Sequence, residues 1–150
     1  FGTARVFGTA RVFGTARVYG NAQVSGDARV YGNALVSGNA QVSGDAWVFG
    51  TAWVFGTARV YGNAQVSGDA QVYGNAWVSG DAVASRSPVT VGLQPHPITV
   101  TDNHIQIGCE LHTKEEWLAN YKTIGVENSY TKEQIKWYGA LIKLLLALPK

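Results

Sequence analysis

His104, Cys109, Glu110 and His112 are the residues of this 150-residue chain whose types and spacing could do chemistry. Cys109 and His112 make a Cys-x-x-His pair, which would offer a zinc ion one thiolate and one imidazole, with His104 as a third ligand. The plainer reading, and the one preferred, buries Cys109 as a small apolar residue at a strand end and sets His104 beside a turn. On that reading no catalytic residue, cofactor or metal site is assigned, and His104, Cys109 and His112 stand only as reactive candidates. Residues 1–84 contain no His, Lys, Glu or Cys, so the only groups there resembling a general base are Asp27, Asp45, Asp69 and Asp81.

Those aspartates sit in a repeat. From Phe1 to Ala84 the chain is fourteen uninterrupted six-residue units of the form aromatic-or-Ser, Gly, Thr/Asn/Asp, Ala, variable, Val, as in Tyr19-Gly20-Asn21-Ala22-Gln23-Val24. Ala and Val are two apart, so on an extended segment both point to one side and the variable residue points to the other. Gly followed by Asn, Asp or Thr then supplies a corner. Short strand, corner, short strand is the expected rhythm. No unit buries its small apolar side alone, so stacked coils must build a continuous core of Ala and Val.

The units resemble the hexapeptide repeats of left-handed β-helix proteins, as Val36 and Ala40 illustrate, although Gly here falls two residues after the aliphatic position instead of directly after it. The resemblance implies a left-handed parallel β-helix with three hexads per triangular coil. The 84 repeat residues then make about 4.7 coils, roughly 22 Å of all-β solenoid. It also implies an alternative function, since well-known members are trimeric acyl-CoA-dependent acyltransferases with a histidine near a subunit interface. The repeats here carry no such histidine.

With three hexads per coil, residues eighteen apart stack. Phe1, Tyr19, Ser37, Phe55 and Tyr73 form one outer column, and Phe13, Tyr31, Phe49 and Ser67 another. Such ladders stabilise coil pairing on their own. Trp47, Phe49, Trp53 and Trp77 are also expected to face outward and to make an apolar interaction surface for another chain. Asp27, Asp45, Asn63 and Asp81 share a corner column, where a cation between stacked carboxylates competes with ordinary turn hydrogen bonding, the preferred role. The first coil, with no proline, charged plug or amphipathic helix, is expected to pair its edge with a second copy.

The pattern fails at Val83-Ala84, and Ser85-Arg86-Ser87-Pro88 follows, a polar segment closed by a proline that forbids another regular unit. Residues 85–97 read as a linker with a short strand at Val89–Val91. Residues 98–150 read as a β-hairpin turning at Asp102-Asn103, with Ile98, Val100, Ile105 and Ile107 on its buried face, followed by two helices forming a cap. Thr113-Lys114-Glu115-Glu116 and Thr131-Lys132-Glu133-Gln134 carry capping-box spacing, and the second helix is expected to run to about Leu148, with Ile135, Tyr138, Leu141, Ile142, Leu145 and Leu148 inward and Leu144 and Leu146 widening that face. Ile105-Gln106-Ile107-Gly108-Cys109 followed by Glu116-Trp117 resembles the tail of bacterial and phage-encoded hexapeptide-repeat proteins of uncharacterised function.

The net charge of +2 is evenly spread, five Arg against four Asp in the repeats and seven basic against six acidic residues after them, which is no footprint for nucleic acid. One cysteine excludes an internal disulfide. The run from Ala140 to Leu148 is too short to span a bilayer and contains Lys143. The start carries no secretory signal; it opens within a repeat without an initiator Met, leaving room for residues upstream. The expectation is a cytoplasmic, non-enzymatic solenoid scaffold for self-assembly or protein interaction, homo-oligomeric, with a possible protein partner and neither nucleic acid nor membrane bound.

Overall fold

The computed structural model describes residues 2–93 and 95–147. Among them, the fifth and sixth residues of each hexad form a two-residue strand, from β1 (Arg5–Val6) to β14 (Val83–Ala84). Every sixth residue begins a new strand and every third strand stacks in parallel register, so Arg5 lies beside Gln23, Gln23 beside Gln41, and Gln41 beside Arg59. The result is three parallel sheets of five, five and four strands, a parallel β-solenoid. Coil is joined to coil by the backbone: the Arg5 and Phe7 N–H groups donate to the Ala22 and Val24 carbonyls at 2.9 and 3.0 Å, and the pattern continues along the stack.

The odd glycine spacing has a physical reason. Gly26 has φ +67°, and the Ala28 N–H closes back on the Ser25 carbonyl at 3.4 Å. Positive φ at the first central residue, with an ordinary φ at the second, is the pattern of a type II′ turn. Gly therefore has to follow the residue that opens the corner, not the inward Val.

Ala and Val fill the interior as expected from the second coil onward; Val24, Val42 and Val60 are fully buried. The first coil departs from the expectation that every such position is interior. Val6 is 47% exposed, and Val12 and Val18 are only half-buried, because no strand of the described chain stacks on their outer side.

After the last coil come four antiparallel strands, β15 (Val89–Val91), β16 (Ile98–Val100), β17 (His104–Ile107) and β18 (Glu110–Thr113), paired in that order. The β16–β17 hairpin turns at Asp102-Asn103, and the Thr101 N–H donates to the His104 carbonyl at 2.9 Å. Neither turn residue has positive φ. The turn is held from outside instead: the Asp102 N–H donates to the Val83 carbonyl at 2.8 Å, and Asn103 Oδ1 accepts from the Val83 N–H at 2.8 Å. Ile98, Val100, Ile105 and Ile107 are buried, and so are Thr99 and Gln106 on the opposite face, which the last coil covers.

Asp102 is the anchor of this docking. Its Oδ2 accepts from the Ser85 N–H and hydroxyl, both at 2.6 Å, and its Oδ1 pairs with Arg86 Nε at 3.1 Å. Burial alone would raise its pKa, but the Ser85 bonds and the Arg86 guanidinium outweigh burial and hold it below its ordinary value of 3.8. A depressed folded-state pKa contributes stability that is complete above the ordinary value and is lost as pH falls through the folded one. We expect amide exchange at Ser85 to accelerate as pH drops below 3.8, beyond the intrinsic trend, and Asp102→Asn to remove that acceleration. An identical pH profile in the variant would refute this.

The chain divides into two compact units, Phe1–Leu111 and His112–Lys150, so the sheet residues up to Leu111 group with the coils. In the second unit, α1 (Lys114–Glu127) begins with the full capping box between Thr113 and Glu116, and α2 (Lys132–Ala147) begins with reciprocal bonds between Thr131 and Gln134. Tyr138 and Ile142 are buried, whereas Leu144 is 60% exposed and does not widen the inner face as expected. The expected end of this helix, Leu148, lies outside the described residues.

Candidate functional site: outer corners and end sheet

Since the interior is filled by Ala and Val side chains, chemistry and recognition fall to the outside of the coils and to the end sheet. At the corner between the sheet containing Trp47 and that containing Trp53, Phe13, Tyr31 and Phe49 stack with near-parallel rings at 5.0 and 5.1 Å. At the next corner Phe55 stacks on Tyr73 at 5.4 Å. The ladders follow directly from the eighteen-residue stacking; Phe1, expected in the Tyr19 column, lies outside the described residues. Stacked aromatic pairs contribute about 0.5–1.5 kcal/mol each beyond burial. Tyr31→Ser breaks two of them and should destabilise by about 1–3 kcal/mol on the same scale, although Ser67 occupies that column without disrupting the coil. An unchanged denaturant midpoint would show that the ladder contributes nothing.

The tryptophans correct an expectation. Trp47, Trp53 and Trp77 occupy three different sheets and therefore three different faces, so they do not make one apolar surface. Their spacings are not multiples of the coil length, which is why the same hexad position lands on different faces. Trp47 lies under Arg29 at 5.1 Å and edge-on to Tyr31 at 6.4 Å. Trp53 meets Phe55 edge-on at 6.5 Å, and Trp77 lies under Arg59 at 5.2 Å and edge-on to Tyr61 at 6.5 Å. Each indole is thus bound into a local cluster by its neighbours along a face and around a corner.

Thr, Asn and Asp at the corners make a second, polar set of ladders. Thr3 Oγ1 donates to Asn21 Oδ1 at 3.0 Å, Asn21 Nδ2 to Asn39 Oδ1 at 3.2 Å, and Asn63 Nδ2 to Asp81 Oδ1 at 3.0 Å. Thr9 bonds to Asp27, the first carboxylate of the column considered for a cation. Among the described residues, no three His, Cys, Asp or Glu side chains are grouped to hold a metal ion.

Of the reactive candidates, His104 begins β17 beside the turn as expected, and its Nδ1 is buried with no hydrogen-bond partner among the described residues. Cys109 is exposed, not buried, which corrects the preferred sequence reading. The cause is a two-residue turn, Gly108-Cys109, between β17 and β18, with Gly108 at φ +60°. Gly in the first central position is a hairpin signal; it was present in the sequence and would have revealed β18. His112 packs edge-on against Trp117 at 5.2 Å.

Sequence reasoning also missed a polar clamp. Ser79 hydroxyl donates to Gln106 Oε1 at 2.9 Å, while Gln106 Nε2 donates to the Gly108 carbonyl at 3.2 Å and reaches the Tyr61 hydroxyl at 3.4 Å. Both Ser79 and Gln106 are buried. Beside them is a recess of about 100 Å³ lined by Trp77, His96, Pro97, Thr99, Gln106 and Gly108. Its amide is already engaged by the protein, so the arrangement locks the end sheet onto the last coil.

The geometry defines a repeat-built parallel β-solenoid protein. The family model described as the YdcK beta solenoid repeat matches residues 22–38, 28–44 and 70–86, all within or at the end of the stack. No curated protein and no solved structure matches the chain. Among the described residues no helix is long and apolar enough to cross a membrane.

Proposed function

We propose that the protein is a non-enzymatic solenoid scaffold whose coils self-associate, with a second copy pairing head to head at the first coil across a two-fold axis. The observation that carries this reading is the exposure of the first coil among the described residues: Val6 is 47% exposed, while Val24 and Val42, stacked above it, are fully buried. A strand edge with open backbone groups recruits further strands, and two-fold pairing satisfies two such edges at once. Because Arg5 and Phe7 direct their N–H groups into the second coil, alternation along the strand turns the Val6 N–H toward the open side.

Sedimentation velocity across a concentration series tests the proposal. The unmodified chain should form dimers, and Val6→Pro, which removes an open-side donor, should shift it to monomer. Val6→Lys is a gentler edge block at an already exposed position and should act in the same direction. A monomer at every concentration, or dimers unaffected by either substitution, would overturn the pairing. Stabilisation of the chain by coenzyme A would point to acyl transfer instead.

A further inference from the structure

The second unit carries an open groove of about 550 Å³ between α1 and α2. Its rims are basic on both sides: Lys122 comes from α1, and Lys132, Lys136 and Lys143 come from α2. On α2 these lysines recur at helical spacing and form one stripe. None of the four forms an ion pair among the described residues, and no acidic residue lines the groove. The lining between the rims is apolar, with Tyr121, Val126 and Ile135, and Val126 is 68% exposed. Lys122 and Lys143 lie over the Tyr121 ring at 6.0 and 5.6 Å, which brings charge from both rims to one aromatic floor.

We propose that this groove binds an acidic amphipathic helix of a partner protein. From Lys132 to Lys143 the groove runs about 16 Å, roughly three turns of helix. A rod of that length would set an apolar stripe on Tyr121, Val126 and Ile135 and place carboxylates on either flank against the four lysines, the helix-in-groove mode of recognition. Concavity disfavours a flat anionic membrane, which would reach the rims but not the floor. The apolar floor disfavours a nucleic-acid backbone, whose phosphates would meet charge only at the rims. The inference rests on the reading of this chain as an interaction scaffold, but not on pairing at the first coil, so partner binding and self-association are measured separately.

The probe is a synthetic helix of about 18 residues with Leu along one stripe and Glu on both flanks, titrated into the isotope-labelled full chain. Amide shifts are expected at Tyr121, Val126, Ile135 and Gly139, weakening as salt rises. The double variant Lys136→Glu and Lys143→Glu, checked for an unchanged melt, should lose at least about tenfold in affinity, as reversal of interfacial charge complementarity does. It should regain binding to the same peptide with Lys flanks. Equal binding by wild type and variant, or shifts falling outside α1 and α2, overturns the proposal. So does binding to equimolar phosphatidylcholine–phosphatidylglycerol vesicles or to single-stranded DNA without binding to the peptide. Because the peptide is read by shifts and self-association by sedimentation, a failed groove leaves the dimer result intact, and the reverse also holds.

Discussion

Ala40→Arg is expected to unfold the coils around it. Ala40 is fully buried, with Ala22 and Ala58 at equivalent positions in the adjoining coils, and among the described residues the buried core of the coils is made of Ala and Val side chains. A guanidinium placed there loses its water and meets no acceptor side chain; even after relaxation the penalty is several kcal/mol per ion, comparable with the about 5–15 kcal/mol that holds an ordinary domain together. Ala40 is also a backbone node, since its carbonyl accepts from the Gln23 N–H and the Gln41 N–H donates to Ala58, both at 2.9 Å. Opening the core to let the arginine out therefore breaks coil pairing on both sides. The neighbouring substitution Gln41→Arg is the control: that side chain is exposed, and Arg59 occupies the next place in the same row. It should cost only a few tenths of a kcal/mol, the ordinary range for surface changes. Amide exchange at Val24, Val42 and Val60 separates the two outcomes, since those amides should lose protection in Ala40→Arg and keep it in Gln41→Arg. Retained protection in Ala40→Arg would mean that the inward register is wrong.

That register was legible because it repeats. The fourth residue, as at Ala40, is Ala in all fourteen hexads and the sixth, as at Val42, is Val in thirteen with Ala84 in the last, while the fifth, as at Gln41, varies, which leaves little choice about which side faces in. The stacking columns follow from the same arithmetic, which is why the sequence alone places Tyr31 between Phe13 and Phe49. What the repeat does not encode is the identity of faces. Trp47 and Trp53 look alike as fifth residues of their units, yet they lie on different sheets, and only counting modulo the coil separates them.

Past Ser85 there is no repetition to average over, and single positions decide. Both helix starts were readable, because a capping box is a local hydrogen-bond exchange between residues three apart. The end sheet was harder. Gln106 and Thr99 look solvent-facing in an alternating hairpin, but the last coil covers them and supplies Ser79 and the Trp77 N–H as partners. Those partners lie more than twenty residues away in sequence, so no local pattern announces them. The exposed Cys109 likewise follows from a turn that places it at the tip between two strands. The basic groove of the second unit was half legible: the lysines of α2 show helical spacing, but Lys122 reaches the same groove only because the helices pair.

Gly26→Ala and Gly74→Ala should differ sharply although both occupy the same place in the hexad. Each glycine has positive φ, +67° and +61°, at the first central position of its type II′ turn, so a side chain at either pays the strain of a sparsely populated backbone region, about 1–3 kcal/mol. Gly26 carries a second constraint. A Cβ there would stand 2.9 Å from the Gly44 backbone nitrogen and 3.1 Å from its carbonyl oxygen, in the corner of the adjoining coil. That neighbour is backbone held in the ladder and cannot swing aside, so the coils must separate locally, adding the about 1–3 kcal/mol typical of overpacking. At Gly74 the same atom meets nothing within 4 Å. Gly74→Ala should therefore show the conformational cost alone, and Gly74→Asn less still, since Asn is among the residues that share the positive-φ positions of type II′ turns with Gly. Denaturant unfolding of the three variants should rank Gly26→Ala as the least stable, followed by Gly74→Ala and then Gly74→Asn. Equal losses at Gly26 and Gly74 would show that coil-to-coil contact at the corners does not constrain the repeat, and that its glycines are required for turn geometry only.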